Sequence, residues 1–201
     1  NDSAGNLNHT ETRHIRLDFT NPLIQYEAGT TSEGNYSQDW IYVNVSVSDD
    51  VEIDMLSVKL YNSSDLIYEN NSIDDNEINF TNLEEGEYWY NASVNDSAGN
   101  LNHTETRHIR LDFTNPLIQY EAGTTSEGNY SQDWIYVNVS VSDDVEIDML
   151  SVKLYNSSDL IYENNSIDDN EINFTNLEEG EYWYNASVND SAGNLNHTET
   201  R

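Results

Sequence analysis

Short segments in which apolar and polar residues alternate recur along the chain, and they predict β-strands. In residues 41–48, four β-branched apolar residues alternate with polar or aromatic ones. A period of two places alternate side chains on one face of a strand, so the apolar face is predicted to be buried. The same pattern occurs in residues 15–17, 56–60, 78–80 and 88–94, and Pro22 begins a further strand at a position where proline is tolerated.

Turn residues separate these segments, and no stretch has a convincing helical period of 3.6 residues. Residues such as Asn62, Ser63 and Gly86 mark the points where strands end. Short strands spaced by about ten residues, with turn signals between them, are typical of a β-sandwich. We therefore predict an all-β protein.

The chain also repeats itself with a period of 94 residues. Residues 1–94 are identical to residues 95–188, and the sequence NDSAGNLNHTETR occurs a third time at residues 189–201. A period of this length is the size of a domain, whereas solenoid units are shorter. We interpret the chain as part of a longer tandem array, cut without regard to its domain boundaries.

Two stretches resemble bacterial and archaeal immunoglobulin-like surface repeats. NLEEGEYWYNASVNDSAGNLNHTETRHIRLDFTNPLI resembles the end of one such repeat and the start of the next, and VNVSVSDDVEIDMLSVKLYN resembles the part around strands B and C. The resemblance implies tandem immunoglobulin-like β-sandwich domains of Greek-key topology in an end-to-end array. It also implies that Tyr88 and Tyr182 are tyrosine corners, whose hydroxyl groups bond back to the preceding turn.

The resemblance sets the domain boundaries. Residues 1–18 are then the F–G turn and strand G of a preceding or partner domain, and residues 19–112 are a complete domain. Residues 113–201 are a second domain that lacks the end of strand G, with linkers at residues 18–22 and 112–116. Continuation of the array is expected to supply the missing strand, and donation by a neighbouring chain is the alternative.

Composition excludes several classes of partner. The chain has 38 acidic and 7 basic residues, a net charge of −31, and no cysteine. Nucleic acid and anionic membrane surfaces are repelled by such a charge, and no apolar run is long enough to span a membrane. The absence of cysteine excludes disulfides and thiolate metal sites. No arrangement typical of an enzyme is found, so catalysis is not predicted.

The strongest functional signal is the glycosylation motif Asn-x-Ser/Thr. It occurs eight times in each period, whereas random order gives about two occurrences. Alternation turns Asn44, Asn79 and Asn91 outward, where a glycan can be carried. N-linked glycans imply an extracellular chain, and the lack of cysteine then favours a prokaryotic surface. The alternative is that composition alone produces the motifs. The candidates are Asn1, Asn8, Asn35, Asn44, Asn62, Asn70, Asn79, Asn91, Asn95, Asn102, Asn129, Asn138, Asn156, Asn164, Asn173, Asn185, Asn189 and Asn196.

Acidic loops suggest calcium at the junction between domains. In a sandwich of this topology, the start of strand A, the B–C loop and the F–G turn share one end. The E–F turn of the preceding domain lies against that end. All-oxygen clusters suit Ca²⁺, which takes six to eight hard ligands. Solvated acidic loops without a metal are the alternative. The candidate ligands are Glu84, Glu85, Asp112, Asp143, Asp144, Asp190 and Asn194.

These observations predict a structural protein, a repeat of an extracellular stalk or filament of a prokaryotic cell surface, archaeal rather than bacterial. Its partners are further copies of the repeat in the same chain and neighbouring chains in a filament. The alternative function is an adhesin whose repeats contact a host, a surface or a carbohydrate. Outward-facing Tyr42, Tyr61 and Trp89 are the candidate contacts for that function.

Overall fold

The computed structural model describes residues 3–4, 7–63, 65–157, 159–168 and 170–201. Asn1, the first candidate glycosylation site, lies outside these residues. Within them the chain forms sixteen strands, and no helix is long and apolar enough to cross a membrane. The strands are β1 (Leu23–Tyr26), β2 (Gly34–Tyr36), β3 (Ile41–Ser48), β4 (Ile53–Asn62), β5 (Leu66–Asn71), β6 (Glu77–Phe80), β7 (Gly86–Asp96), β8 (Leu101–His103), β9 (Arg107–Leu111), β10 (Leu117–Tyr120), β11 (Ile135–Ser142), β12 (Ile147–Asn156), β13 (Asp159–Asn165), β14 (Glu171–Phe174), β15 (Tyr182–Asp190) and β16 (Leu195–His197).

Strands β1–β9 form two sheets that pack as a sandwich. One sheet has the order β1-β3-β6, and the other has the order β2-β9-β7-β4-β5, with β8 also paired to β7. Neighbouring strands are antiparallel except for β2 and β9, which are parallel. The chain changes sheet five times, between β1 and β2, β2 and β3, β3 and β4, β5 and β6, and β6 and β7. The predicted all-β sandwich is therefore confirmed.

Alternating residues from the two sheets form the core of this first unit. Ile41, Val43 and Val45 of β3 are completely buried. Leu60 of β4 belongs to the same cluster, as does Tyr90 of β7, whose hydroxyl donates a hydrogen bond to the carbonyl of Thr31. Burial of each large aliphatic side chain contributes about 1.5–3 kcal/mol to the free energy of unfolding. The alternation seen in the sequence is thus the pattern that fills the core.

Strands β10–β16 repeat the same arrangement around a second, separate core. Their sheets have the orders β10-β11-β14 and β13-β12-β15-β16. Within the described residues, this unit has no counterpart of β2 or β9. Residues 128–130, which correspond to β2, form no strand. Past β16, Thr198 donates one backbone hydrogen bond to Ala186 of β15, and Arg201 exchanges two with Tyr184.

The strand expected around residues 15–17 is not formed. Residues 7–22 have no regular secondary structure, and the side chains of Ile15 and Leu17 are 77% and 76% exposed. The identical residues of the next repeat, Ile109 and Leu111, lie in β9 and are 0% and 1% exposed. The physical reason is that a strand needs a hydrogen-bonding partner: β9 lies between β2 and β7, and residues 13–17 have no such neighbours. The assignment of residues 1–18 to another domain stays a prediction.

Candidate metal centre

Strand ends bring the predicted acidic residues together at the junction of the two units. Asp112 directly follows β9 of the first unit. Asp143 and Asp144 follow β11, and Asp190 is the last residue of β15. Because β11 and β15 end at the same edge of the second sandwich, their terminal residues meet the chain that enters from the first unit.

Three carboxylates form the centre of this cluster. Asp112, Asp143 and Asp144 each offer an oxygen atom, and these atoms lie within 4.8 Å of one another. Asp112 is only 2% exposed. Its Oδ1 accepts a hydrogen bond of 3.0 Å from the backbone N–H of Thr114, whereas its Oδ2 is buried without a partner. Asp143 Oδ2 is also buried without a partner. Such unpaired carboxylate oxygens are costly unless a cation or a donor meets them.

Without a bound cation, the negative charges of the cluster make the ionised carboxyl groups unfavourable in the folded chain. Burial raises the pKa of Asp112, and the negative charges of Asp144, Asp190 and Glu85 raise it further. Burial likewise raises the pKa of the Asp143 carboxyl, with Asp112 and Asp190 contributing. Both carboxylates are therefore less stable as anions in the folded chain than in water. A cation bound among them would remove this cost.

One guanidinium already neutralises part of this charge. Arg110 Nη2 lies 2.8 Å from Asp144 Oδ2 and also donates to the Asp144 carbonyl at 3.3 Å. Arg110 Nη1 lies 3.6 Å from a carboxylate oxygen of Glu87. The guanidinium thus joins the two units, but it makes no hydrogen bond to Asp112 or Asp143. The inner part of the cluster retains two carboxylate oxygens without a donor.

Asp190 and Asn194 organise the turn around the cluster. Asp190 Oδ1 accepts backbone hydrogen bonds from Ala192, Gly193 and Asn194 at 2.7–2.9 Å, and its Oδ2 accepts one of 2.8 Å from the Asn194 side chain. The same Asn194 amide group donates to the Asp112 carbonyl at 3.0 Å. Both residues were expected as ligands. Their hydrogen bonds position the turn beside the cluster, and their role as ligands stays a prediction.

The two glutamates of the E–F turn act differently from each other. Glu85 Oε1 accepts hydrogen bonds from the Phe113 N–H at 2.9 Å and the Thr114 hydroxyl at 2.7 Å. These bonds lower the pKa of Glu85. Glu84 contributes through its backbone carbonyl, which accepts a 2.9 Å hydrogen bond from Tyr88, and its carboxylate is not among the groups that shift the pKa of Asp112. Glu85 therefore holds the start of the linker. The carboxylates that lie within 4.8 Å of one another do not include Glu84, and its role as a ligand stays a prediction.

A second copy of the cluster lies at the other end of the first unit. Asp18, Asp49 and Asp50 also offer oxygen atoms within 4.8 Å of one another. Asp50 Oδ2 accepts a 2.7 Å hydrogen bond from Arg16, as Asp144 does from Arg110. The sequence pattern predicted only the cluster of Asp112, Asp143 and Asp144. The period of 94 residues was the signal that could have revealed the cluster of Asp18, Asp49 and Asp50, because it relates each member of one cluster to a member of the other.

The chemistry of the ligand set fits a hard divalent cation. Every candidate ligand is an oxygen atom, and the set contains neither imidazole nor thiolate. Ca²⁺ takes six to eight oxygen ligands at 2.3–2.6 Å and tolerates irregular geometry, whereas Zn²⁺ prefers nitrogen and sulfur. Asp112, Asp143 and Asp144 would hold such an ion, with water completing the shell. The buried, unpaired oxygens distinguish this cluster from an ordinary solvated loop.

The structure places Asn44, Asn79 and Asn91 on the outer faces of the sheets. Asn79 is exposed, and Asn44 and Asn91 are half-buried, whereas the residues beside them, such as Phe80 and Tyr90, are buried. Among the described sequon asparagines, none belongs to the buried class.

Some of these asparagines have structural partners. Asn102 and Asn196 each donate a hydrogen bond of 2.8 Å through the side-chain amide, to the carbonyls of Pro22 and Pro116. Asn35 donates one of 2.8 Å to Ser191 of the second unit. A glycan on any of these amide groups would replace a proton and add bulk beside a formed contact. These three positions are therefore less suitable for glycosylation than Asn79.

The aromatic residues of β7 are explained without a ligand. The hydroxyl of Tyr88 donates to the Glu84 carbonyl at 2.9 Å, and the hydroxyl of Tyr182 donates to the Glu178 carbonyl at 3.0 Å. This bond across four residues is the geometry of a tyrosine corner. Trp89 stacks on His108 of β9 with ring centroids 4.7 Å apart. The stacking accounts for its place on the outer face as a cover for the neighbouring strand.

Comparison with solved structures defines the class of fold. Domains A168-A170 from titin match 90% of this chain and 64% of their own length, with 11% identity and a TM-score of 0.58. Fibronectin(III)-like modules of Clostridium thermocellum CbhA match 89% of this chain and 91% of their own length, with 14% identity and a TM-score of 0.48. The FN1-FN3 domains of chicken CNTN1 match 90% and 64%, with 12% identity and a TM-score of 0.47.

These likenesses show the fold only. The chain consists of β-sandwich domains of the immunoglobulin-like fold class, similar in fold to the titin domains. No protein-family model matches the sequence, and no curated protein matches it. Membership of the bacterial or archaeal surface-repeat family stays a prediction.

Proposed function

We propose that this chain is a structural repeat of an extracellular, glycosylated stalk or filament on a prokaryotic cell surface, archaeal rather than bacterial. The observation that carries the proposal is the built junction between two sandwich units of the same sequence. Arg110 bonds Asp144, Asn194 bonds the Asp112 carbonyl, and Glu85 bonds the start of the linker. A tether between independent binding modules needs no such set of bonds.

The linker itself supports a fixed junction. It contains no glycine or serine run, so it is not a flexible tether. Pro116 is buried and fixes its own φ, and it disfavours the helical region for Asn115. Because every repeat has the same sequence, every junction has the same angle. Length then grows in proportion to the number of repeats.

Calcium at the junction would stiffen the array. The ion would replace repulsion among the carboxylates of Asp112, Asp143 and Asp144 by attraction to a common charge. Two of these residues belong to the second unit, and Asp112 follows the last strand of the first unit. Bound Ca²⁺ would therefore reduce the bending freedom between the units.

Electron microscopy of the surface that carries this protein tests the proposal. We expect continuous fibres with an axial repeat of about 30–45 Å, from strands of about seven residues plus loops. Because the units have the same sequence, no unit along the fibre should differ in shape from its neighbours. Isolated stalks that end in a separate tip domain would favour the adhesin function and would contradict the filament.

Glycopeptide mapping of the same material tests the extracellular part of the proposal. We expect glycans at Asn44, Asn79 and Asn91, because they lie on outer faces. Asn102 serves as the internal control, because it has the same motif but its amide group is bonded to the Pro22 carbonyl. Unmodified peptides at the three outer positions would remove the main support for a glycosylated surface chain.

A further inference from the structure

We propose that the aromatic ring of Tyr42 is the packing surface for the first sugar of an N-linked glycan on Asn79, and that Tyr136 has the same role for Asn173. This role rests on the glycosylation proposed above, and it names the side chain that receives the sugar. Each pair joins two neighbouring strands of one sheet, β3 and β6 in the first unit and β11 and β14 in the second.

The strand register places the asparagine beside the ring. Tyr42 lies directly opposite Asn79 in the antiparallel pair of β3 and β6, and the Cβ atoms of such a pair are about 4.5–5.5 Å apart. Their neighbours along the two strands, Val43 and Phe80, are buried in the core, so Tyr42 and Asn79 both belong to the outer face. A sugar on the exposed Asn79 would therefore start within reach of the Tyr42 ring.

A hydrogen bond holds the Tyr42 ring in one orientation. The Tyr42 hydroxyl donates to Oε1 of Glu77. Glu77 is opposite Asn44, so it lies diagonally across the ladder from Tyr42. This hydrogen bond raises the pKa of Tyr42, so the hydroxyl remains a donor at neutral pH and above. The ring is thus directed from β3 toward β6, along the side of Asn79.

The loop after β1 approaches the ring from the opposite side. A Cβ atom added to Gly29 would lie 3.8 Å from Cε1 of Tyr42, and the corresponding distance between Gly123 and Tyr136 is 3.7 Å. In the order β1-β3-β6, this loop belongs to the β1 side of β3. The space for a sugar is therefore on the β6 side, where Asn79 is exposed.

The chemistry of the ring suits a neutral pyranose. One face of a pyranose consists of C–H groups, and the negative face of an aromatic ring attracts such groups and shares the exclusion of water. The ring of Tyr42 is already oriented, so packing costs little conformational entropy. The carboxylate of Glu77 lies at the hydroxyl end of the ring and would repel an acidic sugar. We therefore expect a neutral hexose or N-acetylhexosamine at this position.

This contact changes the part that Tyr42 can play in recognition. The adhesin function uses Tyr42 as a candidate contact with an external partner. A sugar from the same chain would cover the ring in each repeat, because Tyr136 and Asn173 have the same register as Tyr42 and Asn79. The ring would then be unavailable to a host or a surface.

A double-mutant cycle on the glycosylated chain tests the contact. Thr81→Val removes the glycosylation motif and keeps Asn79, and Tyr42→Leu removes the ring. In chain from a host that attaches N-linked glycans, Tyr42→Leu should raise the unfolding equilibrium constant of the first unit about two- to tenfold more in the parent than in Thr81→Val. The cycle cancels the loss of the hydrogen bond to Glu77. The same cycle in chain from a bacterial host without N-glycosylation is the control and should show no coupling.

Proton NMR of the glycosylated chain gives a second measurement. Sugar C–H protons that lie over an aromatic ring are shifted upfield by its ring current. The signals of the sugar on Asn79 are identified by their loss in Thr81→Val, and Tyr42→Leu should abolish their upfield shift. Tyr136→Leu is the matched control, because it removes the same ring from the other unit and should leave these signals unchanged.

Intact mass distinguishes failure of the packing from failure of the glycosylation. A sugar on Asn79 gives the parent a larger mass than Thr81→Val by more than the substitution itself. Absence of this difference would contradict the glycosylation at Asn79 and the packing together. A sugar that is present, without an upfield shift or with the same coupling in both hosts, would overturn the packing on Tyr42 and leave the glycosylation standing.

Discussion

Calorimetry of the 201-residue chain at low concentration should give two unfolding transitions, although the two units have the same sequence. The first unit buries Ile109 and Leu111 in its core, and the second unit has no described counterpart of either. Two buried aliphatic side chains contribute about 3–6 kcal/mol together. For a domain of this size each kcal/mol shifts the melting temperature by about 4–8 °C, so the transitions should be separated by more than about 10 °C.

Matched substitutions assign the two transitions. The hydroxyls of Tyr90 and Tyr184 donate to the carbonyls of Thr31 and Thr125, so either Tyr→Phe change leaves a carbonyl unpaired, at a cost of about 1–3 kcal/mol. Tyr90→Phe should lower only the upper transition, and Tyr184→Phe only the lower one. A single transition that both variants shift equally would mean that the units unfold together and that β9 makes no difference.

The second large effect concerns Asp112→Asn, which should change the stability of the folded chain in opposite directions without and with calcium. Without calcium, burial and neighbouring carboxylates raise the pKa of Asp112 and of Asp143. A raised pKa in the folded state means that ionisation opposes folding. This cost develops as the pH rises from the ordinary aspartate range, at about 4, through the raised pKa of the folded state. Asparagine removes the charge and keeps an oxygen for the Thr114 N–H, so the calcium-free variant should be at least as stable as the parent at neutral pH.

With calcium the order should reverse. An ion that binds only the folded state adds about 2.7 kcal/mol when its concentration is about one hundred times its dissociation constant. The parent should gain this stability, and Asp112→Asn should lose most of it. Asp74→Asn, an exposed substitution in the turn before β6, is the control and should respond as the parent does. Thermal unfolding with chelator and with millimolar Ca²⁺ measures all three. Parent curves that coincide in both conditions would exclude a calcium site.

The pattern of residues predicted the central strands well and the peripheral ones poorly. Strands β3, β4, β6 and β7 each have one buried face, so their apolar residues alternate. Every position of β5 except Asn70 is exposed, and its apolar residues Leu66 and Ile67 follow one another. It is an edge strand with no face in the core, so it leaves no periodic signal.

Strand β2 shows a limit of a different kind. Gly34–Tyr36 forms a strand, whereas the identical residues 128–130 do not. The difference is the presence of β9, which lies far away in the sequence, at Arg107–Leu111. Local sequence cannot determine a strand whose partner is distant. The same reason explains why residues 13–17 were expected as a strand and are not one.

The candidate centre was partly predictable. Asp112, Asp143 and Asp144 directly follow segments in which apolar and polar residues alternate. Their positions indicated that they would meet, because the ends of strands lie together at the edges of a sandwich. The pattern did not reveal that Asp190 accepts hydrogen bonds from the N–H groups of its own turn. It also did not reveal that Arg110 forms an ion pair with Asp144. Those features depend on which atom each side chain presents, and spacing alone does not specify that.

The placement of β9 between β2 and β7 has a mechanical consequence. The chain enters the first unit before β1 and leaves it after β9, so a tensile load along the array pulls β9 lengthwise past its two neighbours. Three pairs with β2 and five with β7 resist this sliding together, since they lie side by side along the direction of the force. Such a shear arrangement must break its hydrogen bonds collectively, whereas a peeled hairpin loses them one at a time. In the proposed surface filament, such units would therefore bear drag from flowing water with each domain intact.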